Sequence, residues 1–334
     1  MPVPKAELHL HIEGTLEPEL AFALAARNGV TLPYADTAAL REAYRFSDLQ
    51  SFLDLYYSVL AVLRTADDFT ELADAYLARA AQQGVRHAEI FFDPQAHIAR
   101  GVPMGVVVEG LGAALDRAEE RHGISTRLIM CFLRDEPAES AMATLDAAKP
   151  YLDRITGVGL DSAEVGHPPA KFREVYAEAA RLGLRRVAHA GEEGPAEYIR
   201  EALDVLGVER VDHGLRCLED PSLVERLVRE RVPLTLCPLS NVRLRAVDVL
   251  ESHPLRSMLE AGLVATVNSD DPAYFGGYAG DNFDAVREAL GLGPEDLRTL
   301  ARNSFLASFL EDDEVRRERY LAEVEAYEFG AGGA

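Results

Sequence analysis

Hydrophobic and polar positions along this chain keep switching between two periods. Amphipathic stretches, apolar at helical spacing, end at a glycine and give way to short β-rich runs. Gly84 precedes VRHAEIFF, Gly123 precedes ISTRLIMCF, Gly183 precedes LRRVAHAG, Gly207 precedes VERVDHG and Gly262 precedes LVATVNSDD. Glycine tolerates the left-handed conformation that closes a helix, so each case reads as helix, cap, strand. AELHLH near residues 6–11, RITGVGLDS and VPLTLCPLSN read as strands without that glycine, which brings the count to eight. Helices alternating with short apolar strands imply parallel βαβ units. Eight such units predict an α/β fold, a closed (β/α)8 TIM barrel. An open doubly wound sheet is the main alternative, and the lack of GxGxxG after the first strand counts against it.

The spacing of the units is uneven. Strand one ends near His11 and strand two begins near Arg86. PELAFALAARNG and the stretch from Phe46 to Gln83 fill the gap with helical spacing. This insertion after strand one, spanning 14–85, reads either as a lid over the barrel or as padding on its outer wall. Extra helices follow strand eight near 281–290, 295–309 and 312–327, and the tail GAGGA is expected to fray. No linker composition interrupts the chain, so residues 1–334 read as one domain.

Composition narrows the partners. Lysine and arginine number 34 against 56 acidic residues, a net charge of 34 − 56 = −22. Such a chain repels phosphate backbones and anionic lipids, so neither nucleic acid nor a membrane is expected as partner. The three cysteines, Cys131, Cys217 and Cys237, form no CxxC pair and suit a reducing compartment. Without an apolar leader or a membrane-length run, a cytoplasmic location is the expectation. Nothing in the pattern bears on oligomeric state.

The chemistry gathers at strand ends. Side chains alternate along a strand, so His9 and His11 share a face. By itself HxH is a common pair. Here His189 ends one later strand, His213 another, and Asp270 with Asp271 a third. Active sites of α/β barrels lie at the C-terminal ends of the strands, where all six fall. Other histidines, such as His87, His97 and His122, show no such placement. Three imidazoles and a carboxylate suit zinc, and the expected ligands are His9, His11, His189 and Asp270. Glu192 and His213 then remain to move protons to and from water and substrate. Asp271 adjoins Asp270, and both reach one site only if the chain leaves extended geometry, which Pro272 assists. Ser240 and Asn241 are expected to brace the site, Cys237 to fill core, and Asp212 to face away. Glu7 shares the inward face and is either a support for a ligand or paired within the barrel.

Taken together, PKAELHLHIEG (4–14), GLDS (159–162), HAGE (189–192), DHG (212–214), CPLSN (237–241) and NSDDP (268–272) resemble the adenosine/adenine deaminase family of the metal-dependent amidohydrolase superfamily. The resemblance covers nearly the whole chain. It implies one Zn2+ per subunit on His9, His11, His189 and Asp270. Glu192 would protonate purine N1, His213 would orient and deprotonate the attacking water, and Asp271 would bind N7. Two-metal relatives carry a bridging lysine on strand four, which ITGVGLDS lacks. The implied reaction is hydrolytic removal of the 6-amino group of a purine, a step of purine salvage. Nucleoside-specific members have aspartate at position 13 and glycine near 164, whereas this chain has Glu13 and Glu164. The resemblance therefore leans to the adenine branch, with Glu13 reaching the N9–H of a free base and Ser162 and Glu164 also touching substrate. Pairing of Glu13 with a cation at the barrel rim is the alternative for that residue. Adenosine, another 6-aminopurine nucleoside or an N6-substituted adenine stays open as substrate.

Overall fold

A computed structural model describes residues 2–44, 46 and 49–329, with the backbone alone at 49 and 50. The tail GAGGA and residues 45, 47 and 48 of the insertion lie outside the described residues. Eight parallel strands run in sequence order: β1 (Lys5–His11), β2 (Val85–Phe92), β3 (Ser125–Leu133), β4 (Gly157–Asp161), β5 (Arg185–Ala190), β6 (Arg210–His213), β7 (Pro233–Leu236) and β8 (Val264–Val267). The expected TIM barrel is therefore the fold. The five glycines read as helix caps all have positive φ, from 64° to 85°. Each supplies the left-handed turn that a side chain would resist.

Two backbone hydrogen bonds draw β8 onto β1. The Asp270 N–H donates to the His9 carbonyl at 3.1 Å, and the His11 N–H donates to the Asp270 carbonyl at 3.0 Å. The barrel is thus nearly closed at the residues expected to hold the metal. A helix at Pro294–Leu306 covers this seam from outside, with Ser304 Oγ accepting from the Ala6 N–H at 2.8 Å and Asn303 donating to the Ala265 carbonyl at 3.0 Å. Deeper in the barrel Arg210 is fully buried and donates to Glu89 at 2.5 Å and to the Leu8 carbonyl at 3.0 Å. Pairing is what makes a buried charge tolerable. Burial alone would raise the Glu89 carboxyl, but Arg210 and His87 hold it down to about 2.

The insertion divides its work. It begins with α1 (Pro18–Asn28) and α2 (Thr37–Ala43), then α3 (Leu49–Val59) and α4 (Ala66–Gln82). α4 packs on the outer wall against the helix Met104–Leu115. α3 instead lies over the C-terminal mouth of the barrel and lines its cavity through Phe52, Leu53, Tyr56 and Tyr57. Both readings of the insertion hold, each for a different helix. No helix among the described residues is long and apolar enough to cross a membrane.

Candidate active site

The cavity under α3 takes in about 440 Å³ of space free of protein atoms, part of it open to solvent. Its aromatic side is Phe52, Tyr56, Tyr57 and Phe275; its polar side is His11, His189, His213, Glu192, Asp270 and Asp271, with Asp93, Asp161 and Ser162 beside them. His9 stands behind them, fully buried.

Donor atoms of His9, His11, His189 and Asp270 all lie within 4.8 Å of one another. Asp270 Oδ1 is 3.4 Å from His9 Nε2 and 3.6 Å from His11 Nε2, and His11 Nε2 is 3.2 Å from His189 Nε2. Ligands bound at about 2.0–2.1 Å with tetrahedral angles stand roughly 3.3–3.4 Å apart, so this spacing fits one zinc-sized ion. The rings are also oriented for it. Thr235 donates its hydroxyl hydrogen to Asp212 Oδ1 at 2.8 Å, and so accepts from His9 Nδ1 at 2.9 Å. The lone pair of His9 is thereby left on Nε2, a buried atom with no hydrogen-bond partner. His11 Nδ1 faces Asp161 at 3.5 Å and His189 Nδ1 faces Asp212 at 3.7 Å. Burial lowers the His11 and His189 pKa values, which keeps both rings neutral.

Backbone strain aims the acids and the base. Among the described non-glycine residues with positive φ are Ser162 (69°), His213 (63°) and Asp270 (64°), each at or just past the end of a strand. Left-handed geometry is costly for such residues and concentrates at functional sites. At Asp270 it breaks the strand alternation, so Asp270 and Asp271 both face the cavity. A Cβ on Gly14 would fall 2.0 Å from Asp271 Oδ1, so the bare glycine of HIEG gives that carboxyl its place. Asp271 Oδ1 is buried without a hydrogen-bond partner. Burial, then the neighbouring Asp270, raises the Asp271 carboxyl well above its usual range. Burial and then Asp270 raise Glu192 likewise. Burial pushes Asp270 up too, but His9, His213 and His11 more than reverse it.

His213 Nε2 stands 3.6 Å from Glu192 Oε2 and 3.9 Å from Asp270 Oδ2. A relay fixes its tautomer. The Leu255 N–H donates to His253 Nδ1 at 3.2 Å, His253 Nε2 then donates to Asn241 Oδ1 at 3.2 Å, and Asn241 Nδ2 donates to His213 Nδ1 at 3.2 Å. The backbone donor at one end leaves the proton of neutral His213 on Nε2. Burial lowers the His213 pKa to about 3, so the ring is neutral. Ser240 Oγ donates to Asp270 Oδ2 at 2.6 Å, so both polar residues of CPLSN brace the site. Cys237 is fully buried, and burial raises its thiol well above the usual range.

Three expectations need correcting, and one open alternative, for Glu7, is decided in favour of pairing. Glu13 does not line the cavity: residues Glu13–Thr15 form one 3-10 turn directly after β1, which carries the side chain under the β2 loop. There Glu13 Oε1 accepts from the Asp93 N–H at 3.1 Å and from His97 Nε2 at 2.8 Å, and the residue is fully buried, away from the rim. Glu164 is also outside the cavity lining, its carboxylate taken up by backbone amides of the loop after β5. Asp212 faces the histidines, because the left-handed turn at His213 ends the alternation that would have opposed the two. Glu7 supports no ligand; a register shift between Glu7 and Leu10 turns it to Tyr76 of α4 at 2.7 Å and to the Ser269 hydroxyl. Ser162 does line the cavity.

The model of the family described as adenosine deaminase matches residues 4–327. The chain belongs to the adenosine deaminase family. Within that family it sits in the adenine deaminase branch. It is 82% identical over 331 residues to an adenine deaminase of Streptomyces coelicolor, covering 99% of this chain and 97% of the other. A crystal structure of an adenine deaminase from Arthrobacter aurescens superposes with a TM-score of 0.95 at 60% identity, covering 97% and 98% of the two chains. An amidohydrolase from B. ambifaria, solved with bound zinc, gives a TM-score of 0.88 at 29% identity over 97% and 91%. A buried His/Asp group able to bind a metal is thus seen in a family that includes a zinc-bound member.

Sequence reasoning missed several deaminase-site residues. Asp93 follows β2 in FFDP, and the strand-end rule that picked out NSDDP picks it out equally. Thr235, Arg134 and His253 carry no comparable signal, because they act by hydrogen bonds between segments far apart in sequence.

Proposed function

We propose that this protein is a zinc-dependent adenine deaminase that hydrolyses adenine to hypoxanthine and ammonia, a step of purine salvage. One observation carries the reading. Four buried metal-type donors converge at the wall of a cavity roofed by aromatic rings, and two raised carboxyls, Glu192 and Asp271, face the same cavity. His9, His11, His189 and Asp270 would hold a single zinc. The other donor groups, His213–Cys237–Asp270 and His11–Asp93–Asp161, reuse its members and argue against a second ion. Bound zinc lowers the pKa of a coordinated water from 15.7 to about 7, which supplies a nucleophile at neutral pH.

The chain's own groups do the rest. The purine ring lies against the aromatic roof. Glu192, protonated by virtue of its burial, donates to N1 and lets the ring accept electrons at C6. Protonated Asp271 donates to N7, which fixes the ring's orientation. His213 presents Nε2–H to the attacking oxygen and orients it. This replaces the proton-accepting role implied by the resemblance, since the relay through Asn241 leaves no lone pair on Nε2. Water's oxygen bonds to C6 and the C6–N bond breaks. One water proton leaves with the amino group as ammonia, and the other restores Glu192.

Ammonia release from adenine, adenosine and N6-substituted adenines tests the reading. The expected kcat/KM for adenine exceeds that for adenosine by on the order of 10². Release from adenosine alone would reassign the substrate, and release from none of them would refute deamination.

A further inference from the structure

The loop that carries Glu192 is folded around another side chain. The backbone N–H groups of Gly191, Glu192, Glu193 and Gly194 all donate to the Glu164 carboxylate, at 2.6, 3.0, 2.8 and 2.8 Å. Glu164 is only 2% exposed. Successive amides converging around a left-handed turn form a nest, a concavity that binds anions. Gly191 supplies that turn with a φ of 70°. A Cβ on Gly194 would fall 2.7 Å from Tyr198 Cδ2 and 2.8 Å from Glu164 Cδ and Oε1, so glycine there admits both the ring and the carboxylate. The end of β5 that leads into this loop is held from another side. Buried Arg134 donates to the His189 carbonyl at 2.7 Å and to the His167 carbonyl at 3.0 and 2.9 Å. A cation thus holds the strand end at His189, and an anion holds the amides of the loop that follows.

We propose that Glu164 is a positioning residue, a built-in anion that fixes the 191–194 loop and through it places the Glu192 carboxyl. This rests on the reading of Glu192 as proton donor. Glu164 acts through the backbone and lies outside the cavity lining. His189 keeps its own anchor at Arg134, so loss of the Glu164 carboxylate displaces Glu192 while sparing the metal donors. Displacement of a catalytic group by about 1 Å costs on the order of 10² in rate.

Zinc-loaded Glu164→Ala tests this, with steady-state kinetics on adenine in the absence and presence of formate, a small carboxylate able to enter the vacated nest. The expected kcat falls on the order of 10², KM stays within about threefold and zinc content is unchanged. Formate then raises kcat by about tenfold or more, and has no such effect on the native enzyme or on Glu192→Gln. Native-like kcat in Glu164→Ala, a loss confined to KM, or a folded, zinc-loaded variant indifferent to formate would overturn the proposal. Gly194→Ala is the second variant, should Glu164→Ala not fold: its Cβ crowds the carboxylate as well as the Tyr198 ring and is expected to lower kcat likewise, and native kcat there would also overturn it. Should the native protein release no ammonia from adenine, the function reading fails by itself. The nest is then read from the thermal midpoint of Glu164→Ala, which formate raises and which in the native protein formate leaves alone; no rise would overturn it.

Discussion

His11 Nε2 and His189 Nε2 face each other across 3.2 Å in a buried site. Their Nδ1 atoms face Asp161 at 3.5 Å and Asp212 at 3.7 Å. Burial lowers both pKa values, so neither ring relieves the opposition by charging. Neutral imidazoles meeting in a buried site have lone pairs to offer a cation, and His9 Nε2 and Asp270 Oδ1 come to the same place. The rest of the site is arranged around that convergence.

Glu192 should lose its function without loss of metal. Glu192→Gln keeps the shape but cannot donate a carboxylic proton, so kcat should fall by about 10²–10⁴ with zinc content unchanged. In the native enzyme kcat/KM should decline as pH rises through the raised Glu192 pKa, because the protonated form is the active one. Kinetics from pH 5 to 9 with parallel metal analysis check both points.

The relay to His213 should govern its tautomer. Asn241→Asp replaces a donor to Nδ1 by an acceptor, which moves the ring proton from Nε2 to Nδ1. The expected loss in kcat is on the order of 10², with KM little changed, since the proton presented to the attacking oxygen is gone. Nitrogen chemical shifts of the His213 ring, compared between native and variant protein, report the tautomer directly.

Glu13 should appear in the stability profile. Burial raises its carboxyl from 4.5 to about 7 in the folded chain. Between those values the folded state holds a proton that the unfolded state has lost, so stability falls as pH rises through the window. One such proton corresponds to about 1.4 kcal/mol per pH unit. Glu13→Gln should flatten this decline in urea unfolding of zinc-saturated protein between pH 5 and 7.5. Asp93, raised to about 6 by burial and by Glu13, should keep part of the slope.

The barrel was legible because its period is local: each strand is a short apolar run and each helix ends on a glycine. Positions of His9, His11, His189, His213, Asp270 and Asp271 were legible for a related reason, since strand ends fall at one face of such a barrel. Side-chain direction was not. Strict alternation predicted Asp212 to face away, and the left-handed turn at His213 reversed it. Glu13 and Glu164 were read as reaching substrate because of where they fall in sequence. Their actual partners, the Asp93 N–H with His97 and the amides of 191–194, come from other strand-to-helix loops that no local pattern identifies.

Titration of metal-free protein with zinc, following ammonia release from adenine at each addition, tests the central claim most directly. Activity should be absent at the start, rise in proportion to added zinc and stop rising at one ion per chain. Full activity without metal, or a break at two ions per chain, would contradict a single cage formed by His9, His11, His189 and Asp270.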